Sequence, residues 1–559
     1  MTKIILVPDS TLSYTYRNFP LLDFLSCSPS RLIPSPIYTF LKGKEPQHGS
    51  KGELLYAPYS VRRVETALRK SYRPDEVVVV DENHIGEHLD AETAVIAVST
   101  MDPLGLGPVT MSYYALFGGE LYAWVWKEWD ILMEKINRIR SGKKAKLVIG
   151  GPGVWEFTIM RDQIDRYGID YLFQGEVDDV AGPLFQQIES GSIDTGMFSY
   201  GFMGYDEKFR RMVVKDERFI SRGQTSKPYP KTEDIDPIVN PSMKGLVEVM
   251  RGCGVGCDFC EVTLRPLRYY PISNIQREIE VNVKGGQSNA WLQSDEIWGY
   301  RHGTLFEPNE EALTELFSAV MGVNGVKTAN PTHGRISIPA AYPEMMAKFT
   351  RILRGSPKNW IGIQTGIETG SDALAKKHMP NKTLPLRIGP DGSWQEIVWQ
   401  GVYVETKNYW RPAFTVQVGQ EGETEEDLMD TVALINRLSS SYSEGRPFEF
   451  TVTPLLNVPL GRLKSRSISK EMLTKEQLAV YYAAYRHLAK MAQRDGYRDA
   501  RGNLVSRALV GGTISLGASL LLRTIEKRAI KAGVKVEKIK EYGLENLKEI
   551  NSLSSVSRA

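Results

Sequence analysis

The sequence predicts an α/β protein in three parts: an amino-terminal doubly wound parallel sheet, a second α/β unit of partial-barrel type, and a helical carboxyl-terminal region. Three observations carry this. Short apolar runs alternate with helix-like stretches through the first 195 residues. They resume at Leu246 after a proline-rich break. Past Ser469 the strand-like runs stop and helical periodicity takes over. A length of 559 residues exceeds what one compact core holds, so two or three domains are expected.

In the first part, residues 1–195, the runs are 4–7, 76–80, 94–98, 146–149 and 171–173, several ending in Gly, Ser, Thr or Asp turns. Ligands of such sheets bind at the carboxyl ends of the strands. Residues 196–243 read as a linker, where Pro228, Pro230, Pro237 and Pro241 oppose regular elements. In the second part, 244–465, strand-like runs recur at 246–250, 290–292, 335–338, 360–364, 414–418 and 448–452. In the third, 466–559, Thr474 and Gln477 form a capping-box pattern. The helix it opens carries Leu478, Tyr481, Tyr482, Tyr485 and Leu488 on one face. A second helix is expected over 506–532, stopping near Gly533.

Charge is balanced, with 69 basic and 67 acidic residues, so nothing in it argues for a nucleic-acid partner and none is expected. Four cysteines are too few for a secreted disulfide scaffold, and three fall within 253–260, which points to a reducing, cytoplasmic setting. The opening residues enter a strand-like pattern, not that of a secretory signal. The most apolar stretch, 508–522 between Arg507 and Arg523, reads as too short to span a bilayer.

The chemistry concentrates at Arg251-Gly252-Cys253-Gly254-Val255-Gly256-Cys257-Asp258-Phe259-Cys260. Three thiolates spaced CxxxCxxC on a glycine-rich loop after a strand suit an iron–sulfur cubane and leave its fourth iron open. Zinc is the competing reading, but it usually takes four protein ligands in paired spacing, and His302 and His333 form no paired motif.

Here the chain resembles the radical S-adenosylmethionine (SAM) superfamily over residues 244–465. Phe259 matches the aromatic before the last cysteine. Trp291-Leu292-Gln293-Ser294-Asp295-Glu296 resembles the second strand and the turn near the SAM amino group. Gly366-Ile367-Glu368-Thr369-Gly370-Ser371 resembles the segment approaching the SAM ribose and carboxylate. Gly419-Gln420-Glu421-Gly422-Glu423-Thr424 resembles the family's Gly-x-Pro-Gly-Glu-Thr strand end, with Glu421 where proline is common. Thr453-Pro454 and Pro459-Leu460-Gly461 resemble the final strand and its loop. The resemblance implies a 4Fe–4S cluster on Cys253, Cys257 and Cys260. It implies SAM contacts from Phe259, Gln293, Ser294, Asp295, Glu296, Glu368, Ser371 and Gly419. It also implies a reduced ferredoxin or flavodoxin as electron donor and a 5′-deoxyadenosyl radical as the reactive species. Read alone, Glu423 serves equally well as a helix cap.

The amino-terminal part resembles the cobalamin-binding domain of the methylase-type branch. The matching pieces are Val98-Ser99-Thr100-Met101, Gly150-Gly151-Pro152-Gly153 and Gly175-Glu176-Val177-Asp178. The resemblance implies corrinoid contacts from Ser99, Thr100, Gly150, Gly151, Gly175 and Glu176. The Asp-x-His-x-x-Gly motif that supplies a lower cobalt ligand is absent, because Asn83 stands at the histidine position of 81–86. The alternative is a Rossmann-like scaffold without cofactor.

Aromatics at 113–129 and the apolar stretch 508–522 read either as core packing or as surfaces for a hydrophobic substrate. In overall layout the chain is similar to archaeal enzymes that form cyclopentane rings in tetraether membrane lipids, which implies a lipid substrate taken at the membrane surface. A cobalamin-dependent C-methyltransferase of a small molecule or peptide stays open, as does a non-catalytic cobalamin or cluster sensor. A methylthiotransferase fits less well, since such enzymes normally carry a second cluster and Cys27 is the one remaining cysteine.

Overall fold

The structure, a computed structural model, describes residues 1–18, 22–118, 122–193, 197–199, 202–206, 211–215, 230–260, 262, 265–303, 307–389, 392–458, 472–499 and 504–545. The amino-terminal sheet holds β1 (Ile4–Pro8), β2 (Val77–Val79), β3 (Val95–Ser99), β4 (Lys146–Gly150), β5 (Tyr171–Gln174) and β6 (Met197–Ser199), in the order β2-β1-β3-β4-β5-β6. Every pairing is parallel. Alternate side chains enter two cores, as the pleat requires. Ile4 and Leu6 pack with Val61, Leu68, Leu184 and Phe185 from the helices Tyr59–Leu68 and Ala181–Ser190. Ile5 and Val7 pack with Trp129, Leu132, Met133 and Ile136 of Trp124–Arg140. Burial on both faces explains the continuous apolar runs. The strand order turns back between β1 and β3, which opens a crevice at their carboxyl ends.

The sheet extends past residue 195. The three residues of β6 pair with β5 through Leu172–Met197 and its neighbours, and an antiparallel hairpin, β7 (Phe202–Asp206) and β8 (Arg211–Lys215), follows. At three residues, β6 is too short to stand out as a strand-like run of its own.

The second unit begins with β9 (Leu246–Glu248) and a short antiparallel pair, β10 (Met250–Arg251) and β11 (Arg268–Tyr269). Then come β12 (Asn289–Gln293), β13 (Thr328–Pro331), β14 (Ile361–Glu368), β15 (Trp410–Val418), the hairpin β16 (Tyr442–Ser443) and β17 (Arg446–Pro447), and β18 (Thr451–Leu456). Two parallel sheets, β13-β12-β9 and β14-β15-β18, meet where Gly334 N donates to Gln364 O at 3.0 Å and Gln364 N to Thr332 O at 2.7 Å. The result is an open barrel in the order β9-β12-β13-β14-β15-β18.

The strand expected at 335–338 is instead a turn leading into the helix Ser337–Ala341, and the barrel strand lies earlier, at β13. Ile336, at the N-cap, and Ile338, on the helix, are fully buried; their alternate spacing mimics a strand. The sequence of β13, Thr-Ala-Asn-Pro, is too polar to show itself.

In the carboxyl-terminal region Thr474 N donates to Gln477 Oε1 at 3.1 Å and Gln477 N to Thr474 Oγ1 at 3.3 Å, opening the helix Lys475–Asp499. Leu478, Tyr481, Tyr482 and Tyr485 are buried. The partner helix Leu504–Lys531 is unusual. Leu509, Leu516 and Leu520 are 59%, 62% and 52% exposed, so its apolar residues do not all serve the core. The stretch judged too short to span a bilayer continues on both sides as helix, and Arg507–Lys531 is long and apolar enough to do so by length and composition.

Candidate functional site

The cysteine loop leaves the carboxyl end of β9 and lies at the mouth of the barrel. Gly252, Gly254 and Gly256 have φ of +78°, +70° and +85°, a backbone that other residues rarely adopt. At Gly252 a Cβ would also lie 2.6 Å and 2.7 Å from the carbonyl oxygens of Arg265 and Pro266. Asp295 Oδ2 accepts from Gly252 N at 2.9 Å, Asn381 Nδ2 donates to Val255 O at 2.9 Å, and Asp258 N donates to His378 O at 3.1 Å. The turn is therefore held from three sides.

Cys257 is buried, Cys253 and Cys260 are partly so, and none is in a disulfide. Burial pushes the Cys257 thiol up to about 12, with Lys382 opposing and the neighbouring Cys260 adding to the rise. Burial likewise raises Cys253, and Glu296, Cys257 and Cys260 add to it. The three sulfurs thus share one charge environment, beside a buried ammonium that compensates thiolates.

The expected SAM segments divide when placed. Asp295 and Glu296 close on the loop. Asp295 holds Gly252 N, and Glu296, 4% exposed, accepts from Arg335 N at 3.0 Å. Burial raises both carboxyls. Glu368 ends β14 with φ +60°, a left-handed backbone that a non-glycine residue holds only under constraint. Its carboxylate accepts from Lys382 Nζ at 2.9 Å and Gln417 Nε2 at 2.8 Å. Burial would lower the Lys382 pKa, but Glu368 and Cys257 raise it above its ordinary value, so the ammonium links strand end to cysteine loop.

Ser294 N is held by Thr332 Oγ1 at 2.9 Å, and Gln293 O accepts from Val249 N at 2.8 Å. Phe259 packs against the core beside Cys253 and Cys260. Ser371 caps the helix Asp372–His378 and bonds Asp427, while Gly419 N donates to Glu423 Oε2 at 2.8 Å. Ser371 and Gly419 thus serve the turns that shape the site. Pro459, Leu460 and Gly461 lie outside the described residues.

A cavity of about 400 Å³ lies between the carboxyl ends of β1, β3, β4 and β5 and the barrel. Ser99, Gly150, Gly151, Gly175 and Glu176 line it; Thr100 does not. Thr100 is fully buried and donates to Asp9 Oδ2 at 2.7 Å, whose carboxyl burial raises to about 6. Gly151 and Gly175 have φ of +99° and +129°, and a Cβ on Gly151 would lie 2.4 Å from Thr100 O. Both glycines line the cavity at turns that other residues would strain, where the corrinoid reading places them. Among the described residues no histidine lines the cavity. Glu248, Arg251, Arg265 and Gln293 form its barrel side, so one space touches both units.

Sequence reasoning missed the charged floor of this cavity. Arg251 Nη1 donates to Glu176 at 2.5 Å and to Asp178 at 2.6 Å, Arg63 Nη2 donates to Asp178 at 2.6 Å, and Arg268 bonds Glu176. Both oxygens of Glu176 are therefore committed to arginines of the barrel unit. No local pattern announces such pairs, nor Lys382 or Gln417, because their partners lie far along the chain. The aromatics of 113–129 do not line the cavity either. Trp124 and Trp129 are buried, and Ser112 Oγ of the same helix as Tyr113 accepts from Leu456 N at 2.7 Å on β18.

No family model matches the chain. A tRNA-2-methylthio-N(6)-dimethylallyladenosine synthase of Marinomonas sp. (strain MWYL1) is 24% identical over 269 residues, 46% of this chain and 53% of that protein. The enzyme of the same name from Chromohalobacter salexigens is 25% identical over 275 residues, 45% and 52% of the two chains. The chain spans about half the length of the curated relatives it matches. Among solved structures, the radical S-adenosylmethionine methyltransferase TsrM of Kitasatospora setae, with cobalamin and a 4Fe–4S cluster bound, aligns at a TM-score of 0.49. It is 13% identical and covers 82% of this chain and 77% of that one.

Proposed function

We infer that this chain, a member of the radical SAM superfamily, is an enzyme that cleaves SAM reductively and uses the product on an unactivated C–H bond. One observation carries the reading: three thiols on a glycine turn at the carboxyl end of the barrel, facing Asp295, Glu296 and the Glu368–Lys382 pair. Cys253, Cys257 and Cys260 would hold the cluster. When bound, it supplies an open iron for SAM and the electron that breaks the sulfonium bond. Glu368, fixed by Lys382 and Gln417, presents a carboxylate where the ribose and carboxylate of SAM are expected. Ferredoxin or flavodoxin is the proposed electron donor.

For the substrate, an apolar chain of the archaeal tetraether type, closed into cyclopentane rings, is the reading we favour. Its support is the exposed apolar face of Leu504–Lys531, whose carboxyl-terminal turns carry Arg523, Lys527 and Lys531. Such a helix suits a lipid interface with anionic head groups. The enzyme would then be cytoplasmic and peripheral on the membrane. The cavity between the two units favours a second reading, a cobalamin-dependent methyltransferase, because a cofactor there would face the barrel mouth. Its glycine-lined wall fits a corrinoid bound without a protein histidine.

Anaerobic incubation with SAM and dithionite tests the core. Wild type is expected to release 5′-deoxyadenosine, and Cys257→Ala to lose both cluster absorbance and cleavage. Wild-type cleavage by Cys257→Ala would refute the assignment. Deuterium from lipid methylenes entering 5′-deoxyadenosine supports the lipid reading. S-adenosylhomocysteine, with no deuterium transfer from a tetraether, favours methyl transfer.

A further inference from the structure

Away from the cysteine loop, a second group of metal-ligating side chains gathers at the edge of the amino-terminal sheet. The edge strand β2 runs into Asp81, and the segment around His48 folds back along it through bridges His48–Leu54 and Glu53–Val80. His48 Nε2 stands 2.8 Å from Asp81 Oδ2, and His84 Nδ1 stands 2.7 Å from Asp81 Oδ1. The two imidazoles lie with centroids 4.2 Å apart and planes tilted by 39°. All three ligand atoms fall within 4.8 Å of one another. Asp81 is 3% exposed, while His48 and His84 are 19% and 25% exposed, so the group is anchored on one side and open to water on the other.

Two features go beyond a chance contact. Asp81 Oδ1 also accepts from Asn83 N at 2.9 Å, which fixes the carboxylate toward the imidazoles. Gly52, at φ +77°, makes room for the ring: a Cβ there would lie 2.5 Å from His84 Cδ2 and 2.9 Å from Glu87 Oε2.

We propose that His48, Asp81 and His84 bind one divalent transition-metal ion of the zinc class, with the remaining position taken by water. Two imidazoles and one carboxylate are a donor set that zinc accepts in four-coordinate geometry. As ligands both imidazoles would be neutral, with the proton on the ring nitrogen away from the ion, Nδ1 of His48 and Nε2 of His84, and the nitrogen facing Asp81 offered to the metal. The ion would tie residues 47–54 to the end of β2 and to the turn before the helix Ile85–His88, covering the sheet edge. None of the three residues lines the cavity between the units, so the role is that of a staple, independent of SAM chemistry.

The test uses cluster-loaded full-length protein and zinc or cobalt(II) as the probe. The expected result is one equivalent of zinc per chain by elemental analysis, over and above the cluster iron. Cobalt(II) should replace it with the visible spectrum of a four-coordinate N/O site lacking sulfur-to-metal charge transfer. The variants His48→Gln and His84→Gln should each weaken binding by more than the roughly 10–100-fold that loss of an outer-shell partner costs. SAM cleavage per cluster should stay at the wild-type level. Zinc should also raise the thermal midpoint of wild type and leave that of His48→Gln/His84→Gln unmoved, which reads the site even where one variant folds poorly. Wild type that takes up neither ion, or a double variant that binds as tightly as wild type, overturns the proposal.

Discussion

Replacing Asp178 with asparagine should loosen the joint between the two α/β units. The carboxylate is 3% exposed and sits between two arginines, with Arg63 Nη2 and Arg251 Nη1 each at 2.6 Å. Burial alone would raise its pKa, but Arg251 and Arg63 hold it well below the usual carboxylate range. Removing one partner of a buried ion pair leaves uncompensated charge and costs about 3–5 kcal/mol. Here Glu176, Glu248 and Glu278 stay beside the arginines, so the lower end, about 3 kcal/mol, is expected. The sign with pH follows. A depressed folded pKa contributes stability above the unfolded value of about 3.9, lost as pH falls through the folded value. The gap between wild type and Asp178→Asn should therefore be widest near neutrality and shrink below about pH 4. Urea unfolding followed by tryptophan fluorescence at several pH values measures this, with the exposed Glu134→Gln as a charge-loss control. A variant within about 1 kcal/mol of wild type at pH 7, or a gap that persists in acid, refutes the reasoning.

Three further outcomes are expected. Gly366→Ala places a Cβ 1.8 Å from Glu368 Oε1 and 2.7 Å from Lys382 Nζ, so the carboxylate must leave its position; SAM cleavage should fall about 100-fold while cluster absorbance stays, and unchanged kinetics would contradict the placement of Glu368. Hydroxocobalamin should be retained on reconstitution, and the paramagnetic resonance of its Co(II) form should lack nitrogen splitting from the protein, because no described histidine lines the cavity; failure to retain any corrinoid would return the amino-terminal unit to a scaffold. Leu516→Glu on the exposed helix should abolish sedimentation with anionic vesicles and leave SAM cleavage intact, whereas unaltered sedimentation would remove the helix from any membrane role.

What could be read from the chain before its structure follows from how local each signal is. Cys253, Cys257 and Cys260 lie on one turn, so the spacing itself states the ligand set, and glycines at 252, 254 and 256 mark where the backbone must turn left-handed. β1, β3 and β4 announce themselves because both faces of a parallel sheet are buried and nearly every residue is apolar. The opposite holds for β13, whose Thr328 and Asn330 are tied to Asn289 of the neighbouring strand, so its identity lies in a partner 39 residues away. The same distance problem hides Lys382, which is unremarkable in its own segment and becomes part of the site only once β14 brings Glu368 to within 2.9 Å. Glu176 shows the limit most clearly. Its motif places it at the carboxyl end of β5 where a cofactor contact is expected, yet its oxygens are held by Arg251 and Arg268 from the barrel unit. Arg251 is two residues from Cys253, so the charge that joins the units is continuous with the loop that holds the thiols. A ligand in the cavity that displaced Glu176 would thus be felt at the cysteine turn, a coupling that neither motif carries alone.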